Sequence, residues 1–257
     1  MDRSDYTIVP FGFKRKAVAA SAAVSGDRNA IHAVTEVDIS VPRAAMQAWQ
    51  EKTGIKPSLT AYVVTCLAHT LARHPQLNSF RRGNRLVLLK DVTVSVLIER
   101  DYDGEKVPEP VGIAKAQDKS WTVIQEEIRE AQSRQGRHLG SLSGMTWVRL
   151  IPGFLMRAFF RMADRSLRLG VRYGKVSVTA VGMFSRDAVW FIPHGTATVL
   201  VTVGGIGPKV IPVEGGFEAR EHLCLTVSFD HAIVDGAPAS RFMSEFITEL
   251  KSGRLCG

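Results

Sequence analysis

Near the C-terminus a histidine and an aspartate stand four residues apart, and a glycine follows the aspartate: Phe229-Asp230-His231-Ala232-Ile233-Val234-Asp235-Gly236-Ala237. An imidazole titrates close to neutral pH, so it can take a proton from a thiol or hydroxyl and later return it. The flanking residues dictate where this ring stands. Leu223, Leu225, Val227 and Phe229 alternate as a strand does, and Phe242, Met243, Phe246, Ile247 and Leu250 recur as on a helix. His231 therefore sits at a strand-to-helix junction, fixed by a sheet yet able to face a cleft. The alternative is a core histidine capping a helix, with Asp235 merely nearby. His231 and Asp235 lack a third ligand at suitable spacing, so no metal is expected. Gly204-Gly205-Ile206-Gly207 opens no helix and reads as a turn, not as a phosphate cradle. Basic residues are not interleaved with aromatics on the expected strands, which leaves nucleic-acid binding without support.

The elements that must position His231 follow from hydrophobic period and stop signals. Arg15 to Ala23 is Ala-rich and helical in propensity. Ile31, Ala33, Thr35, Val37 and Ile39 alternate as a strand. Pro42 suits a first helical turn and Gly54 the residue past its end. Ser58 suits the cap of a helix over 59–73, with Leu59, Val63, Leu67 and Leu71 on one face, and His74-Pro75 stops it. Residues 85–89 and 92–98 read as two strands, 101–106 as a charged loop and 121–134 as a helix with Trp121, Ile124, Ile128 and Ala131 inward. Strands are expected over 176–181, 197–203, 208–213 and 221–229. With no internal repeat and no low-complexity linker, residues 1–257 read as one α/β domain.

Residues 139–173 stand apart. They are rich in arginine and large apolar residues, and Asp164 is their one acid. This composition suits an amphipathic helix on a membrane surface, an inserted helix packed on a neighbouring subunit, or a core helix with exposed arginines. The chain carries a net charge of +8, which favours anionic partners such as a phosphorylated cofactor, nucleic acid or membrane, and also serves solubility. No apolar run reaches membrane-spanning length. Cys66, Cys224 and Cys256 are odd in number and show no paired spacing, which points to a reducing cytoplasm. The basic Phe13–Lys16 run followed by alanines has too weak a core for a signal peptide.

The run DHAIVDGAPASRF contains His-x-x-x-Asp-Gly and resembles the catalytic domain of the E2 (acyltransferase) components of 2-oxoacid dehydrogenase complexes, and more distantly chloramphenicol acetyltransferase. Other stretches resemble the E2 domain in the same order: RKAVAAS at its opening, PSLTAYVVTCLAHTLARHPQLNSF with its Pro-x-Leu-Asn helix stop, then VSVTAVGMF and IPHGTATVLVTVGGI. Departures are Ala232, where E2 domains usually carry Arg and chloramphenicol acetyltransferases Ala; Ala180, where E2 domains have Asn or Ser; a more charged 101–106; and the longer 139–173 segment.

The resemblance implies a chloramphenicol acetyltransferase-like two-layer fold, a mixed β-sheet with packed helices. It implies CoA-dependent acyl transfer to a dihydrolipoamide-like thiol, direct and without a covalent enzyme intermediate. His231 would be the base and Thr179 the oxyanion donor, with Ser177, two residues earlier on the same strand face, as the fallback. Asp235 would order the site through a salt bridge to Arg15, and Gly236 would let the chain turn after it. It further implies coenzyme A as the acyl carrier and a homotrimer with the active site between subunits, extendable to a cage and served by a lipoyl-domain partner. No lipoyl domain is recognised in this chain. Acylation of a free small molecule and a catalytically weak trimeric scaffold are the alternatives.

Overall fold

The computed structural model describes residues 6–9, 11–102, 105–133, 152–182, 185 and 187–256. The strands are β1 (Ala30–Asp38), β2 (Ser79–Arg82), β3 (Arg85–Leu88), β4 (Val94–Tyr102), β5 (Glu105–Ile113), β6 (Val176–Ala180), β7 (Val199–Val213) and β8 (Gly216–Asp230). The helices are α1 (Phe13–Ser25), α2 (Ser40–Thr53), α3 (Leu59–Ala72), α4 (Trp121–Ser133), α5 (Gly153–Asp164), α6 (Leu167–Tyr173) and α7 (Gly236–Ser252). Six strands form one mixed sheet in the order β1-β8-β7-β6-β4-β5, and β2 and β3 pair separately. The β6 strand runs parallel to both its neighbours; the other pairs in the sheet are antiparallel.

Period-2 alternation divides the sheet into two unlike faces. Val176, Val178, Val199, Val201, Val203, Leu225, Val227 and Phe229 join the hydrophobic core with Val63, Leu67 and Leu71 of α3 and Phe242, Phe246 and Leu250 of α7. The opposite face carries Ser177, Thr179, Thr202, Thr226 and Ser228 in neighbouring registers. This is the two-layer α/β arrangement that the resemblance implies. The helices are bounded as their caps dictate: Ser58 Oγ accepts from Ala61 N at 3.2 Å, and Gly54 takes the left-handed conformation at φ 72°.

Several sequence expectations are overturned. Of the expected loop 101–106, the described residues are strand: β4 continues through Tyr102 and β5 returns beside it from Glu105. Pro108 and Pro110 disguised β5. They are tolerated because β5 is an edge strand, where a missing N–H breaks no inner ladder. The strands expected near 85–89 and 92–98 are present as β3 and β4; β3 pairs with β2, and β4 enters the main sheet. Gly204 to Gly207 are not a turn but lie inside β7, at a register shift between Val203 and Ile206. The glycines are there because another backbone crosses them. A Cβ on Gly204 would stand 2.3 Å from Val189 O, and one on Gly205 2.0 Å from Asp187 O.

Residues 139–151 of the arginine-rich segment lie outside the described residues, and α5 and α6 follow. Met156 of α5 is buried, while Phe154, Leu155, Phe159 and Met162 are exposed, so α5 is not a core helix. Arg157 and Arg161 both reach Asp27, beyond the end of α1. Among the described residues no helix is long and apolar enough to cross a membrane.

The crossing at β7 generates a test. Gly205→Ala should destabilise the protein by about 2 kcal/mol through overpacking against backbone that cannot rotate away. Gly207→Ala, whose Cβ would meet Ala188 at an ordinary 3.4 Å, should cost roughly 0.5 kcal/mol or less. Urea denaturation of the two variants measures the difference; equal losses would disprove the close-approach account.

Candidate active site

His231 follows the last residue of β8, in a turn that delivers the chain to α7. Its ring is 47% exposed, so it is not packed into hydrocarbon. Nδ1 lies 3.2 Å from Val234 O. A carbonyl oxygen only accepts, so Nδ1 carries the hydrogen and donates it. In the neutral ring this leaves Nε2 bare, with its lone pair available as a base. Asp235 Oδ1 is 3.7 Å from Nδ1, beyond hydrogen-bond distance.

Thr179 lies on β6, two residues after Ser177 and on the same face, away from the helices. It stands in register with Thr202 of β7, which in turn faces Thr226 of β8. His231 is five residues beyond Thr226 along β8. At about 3.3 Å per residue and 4.8 Å per strand, Thr179 and His231 are roughly 19 Å apart in one chain. The structure does not bring the two expected chemical groups together within a protomer.

The expected ordering pair of Arg15 and Asp235 is also not what holds this turn. An Asp235 carboxylate that is 85% exposed is not the buried half of an Asp–Arg pair. Gly236 opens α7 with no left-handed φ, and a Cβ there would meet nothing within 4 Å, so no steric demand of the chain explains it. The carboxylate that closes the turn is Asp230, which the sequence reading passed over. It is buried, and its Oδ1 accepts from Ala232 N at 3.1 Å. Its Oδ2 takes Arg28 Nη1 at 2.5 Å, and Arg28 Nη2 reaches Asp164 Oδ2 at 2.5 Å. Lys175 Nζ meets Asp164 Oδ1 at 2.7 Å and lies over the Phe80 ring. Two signals could have pointed here: Asp230 is adjacent to His231, and Asp164 is the one acid in a basic segment.

A six-stranded mixed sheet with α3 and α7 packed on its apolar face and a histidine at a strand-to-helix turn defines the chloramphenicol acetyltransferase-like fold. A chloramphenicol acetyltransferase superposes with a TM-score of 0.50 at 12% identity, covering 98% of both chains. The family model described as 2-oxoacid dehydrogenases acyltransferase (catalytic domain) matches residues 4–145 and 166–255, and the chain belongs to that family. The pyruvate dehydrogenase dihydrolipoyllysine-residue acetyltransferase component of Mycoplasma pneumoniae is 27% identical over 206 residues, 78% of this chain and 43% of the relative. The dihydrolipoamide acetyltransferase of Azotobacter vinelandii superposes with a TM-score of 0.69 at 19% identity, covering 98% of this chain and 94% of that one. The chain spans about half the length of the curated relatives it matches. Residues 146–165, which include α5 and Asp164, fall outside the family match.

Burial pushes the Asp164 carboxyl up, but Lys175 and Arg28 outweigh burial and hold it below the usual carboxylate value. Burial lowers the Lys175 ammonium, and Asp164 draws it only partly back. A depressed folded-state carboxylate contributes stability that is complete above its unfolded value near 3.8 and is lost as pH falls below it. The denaturation midpoint should therefore fall steeply below about pH 4. Asp164→Asn should flatten part of that slope and cost about 2 kcal/mol at pH 7. Urea midpoints between pH 3 and 7 check both, and a variant with the wild-type acid slope contradicts the charge assignment.

Proposed function

We propose that this chain is the catalytic core of a CoA-dependent acyltransferase that moves an acyl group between coenzyme A and a dihydrolipoamide-like thiol. The observation that carries this reading is the His231 ring, half exposed, with Nδ1 donating to Val234 O and Nε2 left as the base. Nε2 removes the proton from the incoming thiol as its sulfur attacks the thioester carbonyl. The tetrahedral oxyanion accepts a hydrogen bond from the Thr179 hydroxyl, with Ser177 on the same strand face as the fallback donor. Collapse breaks the original carbon–sulfur bond, and the imidazolium returns its proton to the departing thiolate. No covalent enzyme intermediate is needed. The net charge of +8 suits a substrate that carries phosphates.

The roughly 19 Å between Thr179 and His231 in one chain argues for a site shared between protomers, His231 from one and Thr179 from its neighbour. A homotrimer, extendable to a cage, is the assembly we infer. The Azotobacter study concerned a serine, a histidine and an asparagine in that enzyme's catalytic mechanism. The serine precedes the histidine by as many residues as Thr179 precedes His231, and the asparagine follows it four places on, where Asp235 stands here. This correspondence supports the assignment of Thr179, and it puts a carboxylate where that enzyme has an amide. Arg15 and Gly236 keep supporting parts in this reading, outside the proton transfers.

A free small-molecule acceptor is the second reading. It is favoured by the small, exposed Ala232 at the position where E2 domains usually carry arginine.

The test is acyl transfer from acetyl-CoA to free dihydrolipoamide, measured as CoA release. His231→Ala should lower kcat by about 10²–10⁴-fold. Thr179→Ala should lower it by about 10²–10³-fold, with Thr179→Ser largely restored. Co-refolding the two inactive variants should regain activity, because mixed assemblies contain sites built from one intact histidine and one intact threonine. Full turnover by His231→Ala, or no recovery on mixing, would sink the shared-site mechanism.

A further inference from the structure

The ion chain at Asp230 takes no part in the proton transfers, yet it touches both strands that carry them. Asp230 is the residue before His231, and Lys175 stands four residues before Thr179. Between them the charges alternate: Asp230, Arg28, Asp164, Lys175. Three of the four side chains are close to fully buried, and Arg28 is 20% exposed. The turn is gripped by two consecutive residues. Arg28 binds the Asp230 carboxylate, and Asn29 O accepts the His231 N–H at 2.8 Å. The other oxygen of Asp230 holds the Ala232 N–H. The peptide planes on both sides of His231 are therefore fixed by hydrogen bonds, and rotating either would swing Nε2.

On the acyl-transfer reading above, we propose that Arg28 is a positioning residue for His231, acting through the Asp230 carboxylate, with Asp164 and Lys175 fixing its second N–H group. Arginine suits this position because its planar fork offers separate donors to two carboxylates at once, which an ammonium cannot do in fixed geometry. Burying four charges is a poor route to stability alone, since apolar residues of similar volume usually do as well or better. The position of the chain is what gives it use. Asp164 comes from the stretch that the family match skips, and through it the end of α5 reaches the turn that carries His231.

Asp235 Oδ1 lies 3.7 Å from the ring, and Asp230, the preceding residue, is paired with Arg28; His32 and His194 line a small cavity shared with Arg28 and Asp230. Removing the Arg28 cation leaves the negative charge of Asp230 uncompensated one residue before His231, which favours the imidazolium. The experiment compares Arg28→Met, Arg28→Lys, Asp230→Asn and the Arg28→Met/Asp230→Asn double variant with wild type, each as the native assembly. Arg28→Met should lower kcat about 10²-fold and leave KM for both substrates within about twofold. The double variant should lose no more than Arg28→Met alone, as for residues acting in series. The pH midpoint of His231 carbethoxylation, read by peptide mass spectrometry, needs no turnover; it should rise in Arg28→Met and stay in place in Arg28→Lys. Folded Arg28→Met with wild-type kcat and an unmoved midpoint overturns the proposal, as does a double variant whose loss is the product of the two single losses. If Arg28→Met does not fold, Asp230→Asn decides by kcat, and a wild-type value in that variant overturns the proposal. Turnover by His231→Ala would instead defeat the acyl-transfer reading, whereas an inactive His231→Ala beside a fully active Arg28→Met defeats only this inference.

Discussion

Strands do not stretch, and the sheet register of this protein follows from that constraint. The parallel β6, wedged between β4 and β7, locks Thr179 beside Thr202 and hence level with Thr226. Every residue of β8 beyond Thr226 then lies a fixed distance further along, about 3.3 Å for each step. His231 cannot approach Thr179 by any adjustment of side chains, because five such steps separate their levels. On such a frame the two groups stand at different places in one chain. The hydroxyl-bearing face of the sheet and the half-exposed ring are two parts of one reading, since neither makes chemical sense alone.

Much of the frame was legible because local signals and tertiary demands agreed. The α3 helix begins at a serine that caps it and ends at His74-Pro75. The apolar residues of β1 and β8 alternate in sequence as strands do, and the two strands pair from Ala30↔Asp230 to Asp38↔His222. The misreadings share one cause. Pro108 and Pro110 are strand breakers except at an edge, and which strand is an edge is decided by chain order across the whole sheet. The Gly204–Gly207 run imitates a turn except where other backbone lies on it, and residues 187–189 are too far away in sequence to announce that they do.

The site was legible to the same degree and for the same reason. His231 and Asp235 share a short motif, so spacing exposed them. Thr179 needed the order of several stretches to be picked out. Arg28, Asp164 and Asp230 come from a turn, a helix end and a strand end, and no pattern of spacing connects them. The pairing of Asp235 with Arg15 came from the resemblance, and in the single chain the buried carboxylate at this turn is Asp230. Within the turn, Asn29 O accepts the His231 N–H and the Asp230 carboxylate accepts the Ala232 N–H. The acid on the helix side points to solvent.

The same geometry bears on what kind of base this histidine can be. A buried carboxylate on Nδ1 would stabilise the imidazolium and make the ring a stronger, slower-releasing base. Asp235 is too exposed and too distant to do much of this, because solvent screens it. The carbonyl of Val234 fixes the tautomer while adding no full charge. That balance suits an exchange between two thiols, in which the attacking and departing sulfurs have similar affinities for a proton. A base that held its proton firmly would speed the first half of such a reaction and retard the second. Here a neutral carbonyl lies on Nδ1, and the carboxylate of Asp230 is turned onto the backbone and paired with Arg28.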